Sequence, residues 1–315
     1  MLKHFISLND LTSDQFRDLL AVAAYLKRRR AQGILETALA GKTLAMIFEK
    51  PSLRTRLSFE VAMSELGGRS LFIRGEEVGM GTREPVRDVA RVISRYVQGI
   101  MARVFKHQSV EELARYGGVP VINGLSDECH PCQALADVLT IQEHLGTIAG
   151  LRLVFIGDAN NVARSLARAA ILAGSQMVLA CPRHYAFTPA DISSFGLAWG
   201  SQVIQVHDPV DAVAGAHVLY SDVWTSMGQE AEKAERLAAF RGYQINDALI
   251  AKARPDVRIM HCLPAHRDEE ITDSAVEHPR SIIFDQAENR MHAQKAILRL
   301  LLASDAESVL AAARC

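Results

Sequence analysis

The apolar positions change period along the chain. Phe16, Leu19, Leu20, Ala23 and Leu26 recur at helical spacing, and Thr12 followed by Gln15 can form a reciprocal cap at the start of that helix. Beyond it, short apolar runs at 43–48, 70–73, 100–105 and 120–122 alternate with stretches of helical period such as 57–66. Short runs that are apolar on both faces and joined by helices predict a largely parallel, buried sheet. Gln133 to Leu145 predicts one helix ending at Gly146, and a second alternating series opens at Leu151. Its runs at 151–156, 177–180, 203–206, 217–220, 257–260 and 281–284 predict a second parallel sheet, with a last helix over 291–303. The expected fold class is α/β, two doubly wound parallel-sheet domains with a boundary near 147 to 150. The pattern of the last helix assigns it to neither.

Composition narrows the function. At about 150 residues per domain, 315 residues fit two domains. The 35 basic and 36 acidic side chains give a net charge of −1 and are interleaved apart from Lys27 to Arg30, so neither nucleic acid nor an acidic membrane is an expected partner. No run is long and apolar enough to span a bilayer, and Asp10 and Asp14 interrupt what would be the apolar core of a signal peptide. Five scattered cysteines, Cys129, Cys132, Cys181, Cys262 and Cys315, fit a reducing compartment better than a disulfide framework. The expected location is cytoplasmic.

In open parallel sheets ligands gather at the carboxyl ends of strands, which directs attention to the polar residues after each apolar run. After the first run, Ser52, Leu53, Arg54, Thr55 and Arg56 open a helix. Free N–H groups, two hydroxyls and a guanidinium in one turn suit a phosphate, although Ser52 as a plain cap is the simpler alternative. Arg103 interrupts a buried strand, which calls for either a bound anion or an internal carboxylate. Cys129-His130-Pro131-Cys132-Gln133 admits a redox dithiol, half of a zinc site, or a neutral histidine donor at a helix start, and the last fits its setting best. In the second half, Gly157-Asp158-Ala159-Asn160-Asn161 stands where a dinucleotide-binding fold would carry its glycines, and lacks them. Asp222 with Ser226-Met227-Gly228, and His261-Cys262-Leu263-Pro264, suit a small zwitterion.

Together these motifs resemble the aspartate/ornithine transcarbamylase family over essentially the whole chain, and within it the ornithine-using members. Ser52 to Arg56, Arg103 and His130-Pro131-Cys132-Gln133 are similar to the family's carbamoyl-phosphate elements. Asp222 with Ser226-Met227-Gly228, and His261-Cys262-Leu263-Pro264, are similar to its ornithine elements, and Glu288-Asn289-Arg290 completes the match. Leu53 stands where many members carry Thr, and Gly79 where many ornithine enzymes carry a polar residue donated to a neighbouring site.

The resemblance implies a carbamoyl-phosphate domain over 1–147 together with a returning C-terminal helix of about 289–315, an ornithine domain over 148–288, and a homotrimer or a multiple of trimers. It implies attack of the ornithine δ-amine on carbamoyl phosphate, giving citrulline and phosphate in arginine biosynthesis. Neither metal nor organic cofactor is required. The implied catalytic residues are Arg103, His130, Cys262 and Arg290. Carbamoyl phosphate would be held by Ser52, Leu53, Arg54, Thr55, Arg103, His130, Pro131, Cys132, Gln133, Cys262, Leu263 and Arg290, and ornithine by Asn161, Asp222, Ser226 and Met227. The implied acceptor could instead be another amine, such as an acylated ornithine or putrescine. A thiol-disulfide oxidoreductase using Cys129 and Cys132 is the rival from another class.

Overall fold

The computed structural model describes residues 2–314; Met1 and Cys315, the last of the five cysteines, lie outside them. The chain divides into two compact units, Met1–Leu139 with Glu288–Cys315, and Thr140–Ala287. The division falls inside the helices Pro131–Leu145 and Ile283–Leu302. Sequence punctuation marks where the first of these helices ends, at Gly146, and carries no signal within it.

The first unit holds the strands β1 (Thr43–Phe48), β2 (Arg69–Arg74), β3 (Gly99–Arg103) and β4 (Val121–Leu125), all parallel in the order β2-β1-β3-β4. The second holds β5 (Arg152–Ile156), β6 (Gln176–Ala180), β7 (Val203–Val206), β8 (Val218–Ser221) and β9 (Arg258–His261), parallel in the order β7-β6-β5-β8-β9. Each order reverses once, between β1 and β3 in one sheet and between β5 and β8 in the other. Beyond the carboxyl ends at such a reversal, flanking loops diverge and leave a crevice for ligand. Register fixes what stands there: Phe48 pairs with Arg103, and Ile156 with Ser221.

Ala45, Ile47, Ile100 and Ala102 pack with Val89, Val110 and Leu113 in the core of the first unit. In the second, Val154, Ile156, Val178, Leu219 and Ile259 pack with Ile250 and Ala275. At about 25 cal/mol per Å² of apolar surface, each such Val, Ile or Leu contributes roughly 1.5–3 kcal/mol. The cap read from Thr12 and Gln15 forms at the start of the helix Ser13–Ala31, with both reciprocal bonds made.

The run at 281–284 is not a sixth strand of the second sheet. Ser281 makes one isolated bridge to Ile259, and the helix Ile283–Leu302 begins two residues later. Ile282 and Ile283 are buried while Phe284 is 59% exposed. Three apolar residues at the mouth of a helix carry too little periodicity to separate the two readings. The part of this helix beyond Glu288 belongs to the first unit: Arg290 donates to Thr55, Lys295 to Glu65, and the Leu302 carbonyl accepts from Lys42. A further helix, Ala306–Arg314, which the sequence pattern did not separate, packs on Ser13–Ala31 and pairs Arg314 with Asp18.

Candidate active site

In the first unit, Ser52 caps the helix Leu53–Glu65: its Oγ accepts from the Thr55 amide at 3.3 Å and donates to Thr55 Oγ1 at 3.1 Å. Thr55 is fully buried and its hydroxyl accepts from Arg290 Nη2 at 2.8 Å, joining residues 235 apart in sequence. Leu53, by contrast, is 70% exposed at the first helical position, where only its backbone N–H can serve an anion. Arg54 is half-buried, and among the described residues no carboxylate forms an ion pair with it. Arg103 is buried at the end of β3.

His130 precedes the helix Pro131–Leu145 and is buried. Burial, then the positive charges of Arg290 and Arg103, hold its pKa well below the ordinary 6.5. The imidazole is therefore neutral at physiological pH, as a donor to a polarised carbonyl needs. Burial and Arg103 likewise lower the Lys50 ammonium, which sits over the Phe105 ring. Gln133 is buried with Nε2 donating to Asp137 Oδ1 at 2.8 Å. Its Oε1 has no hydrogen-bond partner among the described residues, leaving an acceptor available to an amide N–H. Cys132 is also buried, and its Sγ donates to the Asn123 carbonyl at 3.3 Å. Burial pushes the thiols of Cys129 and Cys132 up to about 12, away from the thiolate a redox pair requires.

Gly79 has φ 63° and closes the turn Gly75–Val78; an added Cβ would stand 2.8 Å from Arg83 Cβ. The turn geometry thus excludes a longer side chain there. The loop that follows lines a cavity of about 650 Å³ with Glu49, Met80, Thr82, Arg83, Phe105 and Lys106.

In the second unit, Asp222 follows β8 and is buried. Its Oδ2 accepts from Asn160 Nδ2 at 2.8 Å, and its Oδ1 from the Val223 amide and from Cys262 Sγ at 2.8 and 2.9 Å. Asn160 simultaneously caps the helix Asn161–Ala173, so one side chain sets both the helix start bearing Asn161 and the carboxylate. Gly157, with φ 151°, lets the chain leave β5 toward this turn. Beyond β9, His261 Nδ1 accepts from the Leu263 amide and its Nε2 donates to buried Glu270. Leu263 takes φ 56°, a conformation that re-aims the carbonyls around it and costs a non-glycine residue on the order of 1–2 kcal/mol. Ser226 and Gly228 are closed into a turn by Gln229 and Glu230, with Met227 46% exposed.

Sequence reasoning missed Asn160 as the link to Asp222; its signal was the cap position before Asn161. Among the described residues one His/Glu group could share a cation, His266, Glu269 and Glu270, and Lys233 already places a positive charge 2.9 Å from Glu269.

Hydroxyls and guanidinium groups at the strand ends of one parallel-sheet unit, and a buried carboxylate at those of a second, define a class, two-unit α/β enzymes with polar groups gathered at each strand-order reversal. The chain belongs to the aspartate/ornithine carbamoyltransferase family. Residues 3–143 match the family's carbamoyl-P binding domain and residues 149–301 its Asp/Orn binding domain. The ornithine carbamoyltransferase of Archaeoglobus fulgidus is 51% identical over 306 residues, covering 97% of this chain and 99% of that protein. The protein named "Ornithine carbamoyltransferase, anabolic" of Pyrococcus furiosus is 49% identical over 308 residues, covering 95% and 96%. A solved structure of ornithine carbamoyltransferase from Pyrococcus furiosus superposes with a TM-score of 0.91 at 48% identity, covering 96% of this chain and 97% of that one.

Proposed function

We propose that this chain transfers the carbamoyl group of carbamoyl phosphate to the δ-amine of L-ornithine, giving L-citrulline and phosphate in arginine biosynthesis. The observation that carries this reading is the convergence of Thr55, Arg290 and a neutral His130 beside Arg103, from four distant parts of the chain, at the strand-order reversal of the first sheet.

Ser52, Arg54 and the N–H groups of the helix start hold the phosphate. Thr55, Arg103 and His130 donate to the carbonyl oxygen as charge grows on it in the tetrahedral intermediate, and fixed donors stabilise such charge without reorganising. The free Oε1 of Gln133 accepts from the carbamoyl amide, and the Arg290 guanidinium completes its orientation. Asn161, Ser226 and Met227 hold the α-amino and α-carboxylate groups. The attacking amine must be neutral, which at a pKa of about 10.4 costs roughly 4–5 kcal/mol at pH 7. Asp222 and Cys262 position it, and the departing phosphate takes its proton.

We further propose a cytoplasmic location and a homotrimer or a multiple of trimers. Among the described residues no helix is long and apolar enough to cross a membrane. Leu53, Leu57 and Val61, spaced by four on one face of the helix Leu53–Glu65, are 70%, 49% and 37% exposed, with Leu71 50% exposed on the edge strand β2. An apolar stripe of that kind favours self-association.

Colorimetric detection of citrulline, with carbamoyl phosphate offered to ornithine, N-acetylornithine, putrescine and aspartate, tests the reading. Ornithine should exceed the others at least tenfold in kcat/KM, and light scattering on the same sample should give three chain masses or a multiple of three. A preference for another amine would reassign the acceptor, and no product with any would end the proposal.

A further inference from the structure

Arg236, on the helix Lys233–Ala239, is 5% exposed and engaged on several sides. Its Nη1 donates to Asp158 Oδ2 at 2.8 Å and to the Trp224 carbonyl at 3.1 Å, its Nε donates to Glu232 Oε2 at 2.9 Å, and its guanidinium lies 4.9 Å from the Tyr185 ring centre. Tyr185 and Trp224 both pack on Phe240, and the Tyr185 carbonyl accepts from the Ala159 amide.

These contacts have a common geography. Asp158 opens the turn that carries Asn160, the partner of Asp222, and then Asn161. Trp224 stands just before the Ser226-Met227-Gly228 segment and Glu232 just after it. The segment closes on itself through Gln229 and Glu230, and Met227 is exposed, so its placement is set by its two ends. A planar guanidinium offers donors in fixed directions to three partners at once; a lysine ammonium on a flexible stem does not.

We propose that Arg236 is a positioning residue for the acceptor amino acid. It ties the turn bearing Asn160 and Asn161 to both ends of the 226–228 segment and so sets ornithine affinity without touching the substrate. This rests on the reading of Asn161, Asp222, Ser226 and Met227 as the ornithine site.

The test uses the full chain with Arg236→Lys, Asp158→Asn and their combination, varying each substrate in turn and recording thermal melting. Each single variant should raise the ornithine KM at least tenfold, with kcat within about threefold and carbamoyl-phosphate affinity within twofold. The double variant should be no worse than the poorer single one, because both act through one tie. A purely structural role would lower the melting temperature and the active fraction and leave both KM values in place. Ornithine KM within twofold of the parent in the folded variants, or both KM values rising together, overturns the proposal. Should Arg236→Lys fail to fold, Asp158→Asn and Glu232→Gln, which keep side-chain volume, decide it on the same criterion. Failure of the underlying reading is separable: Asp222→Asn and Ser226→Ala would then leave the ornithine KM unchanged, whatever Arg236→Lys does.

Discussion

Asp222, proposed to position the acceptor amine, is one carboxylate that accepts from an amide side chain, a backbone N–H and a thiol. Replacing it with Asn keeps the size and removes the charge, and one oxygen becomes an NH₂ facing existing donors. Asp222→Asn should lower kcat/KM for ornithine at least a hundredfold, about 2.7 kcal/mol of transition-state stabilisation, while carbamoyl-phosphate affinity stays within twofold. Steady-state kinetics with each substrate varied checks this. Residues of this kind were legible in the sequence, because Ser52, Arg103, His130 and Asp222 are polar groups set beside strand ends where a buried charge or hydroxyl needs a reason. Asn160 and Arg236 were not. A cap asparagine and a helix arginine look ordinary until their partners, 62 and 78 positions away, are in view. Gln133 stood out in the sequence as a candidate, but its bond to Asp137, which reserves Nε2 and leaves Oε1, was not legible.

At the scale of elements, two helix starts use the same capping chemistry for different ends. Thr12 and Ser52 each accept from the amide three residues on. Thr12→Ala should cost about 1 kcal/mol of stability and leave every kinetic constant unchanged. Ser52→Ala should cost a similar amount and in addition raise the KM for carbamoyl phosphate, because its hydroxyl stands in the proposed phosphate cradle. Denaturant unfolding alongside kinetics separates the two; equal kinetic behaviour would reduce Ser52 to a cap. The strands were legible wherever an apolar run was bounded on both sides, as in β1 and β7, whose limits match the pattern residue for residue. They were illegible at 281–284, where an apolar run flows into a helix with no polar residue between.

Over the whole molecule, acid should destabilise the protein before its carboxylates titrate. Burial is the first cause of a lowered pKa at His4, His130, His217 and His292. A folded value below the unfolded 6.5 means that the unfolded chain takes up protons the native one refuses. The stability these groups confer is complete above pH 6.5 and is lost as the pH falls from there toward the folded values. His130, buried and held well below 6.5, is the largest contributor. Melting temperatures should therefore drop steadily from about pH 6.5 to pH 5, and His130→Gln should shallow the slope; a flat profile over that interval would contradict the assignment.

The two-unit plan was readable from alternation alone, but the discontinuity of the first unit was not, since no local pattern says that residues beyond Glu288 rejoin a sheet that ended at Leu125. That discontinuity has a practical consequence. The helices Ser13–Ala31 and Ala306–Arg314 lie side by side, with Arg314 clasping Asp18. A short Gly/Ser bridge joining the two ends, with new termini opened near Thr147, would make the first unit one uninterrupted stretch and leave only residues 140–147 of the second at the far end. The proposed donor cradle, Arg290 included, would then be encoded on one continuous stretch, and half-enzymes made from that permuted order could each be tested for binding of a single substrate.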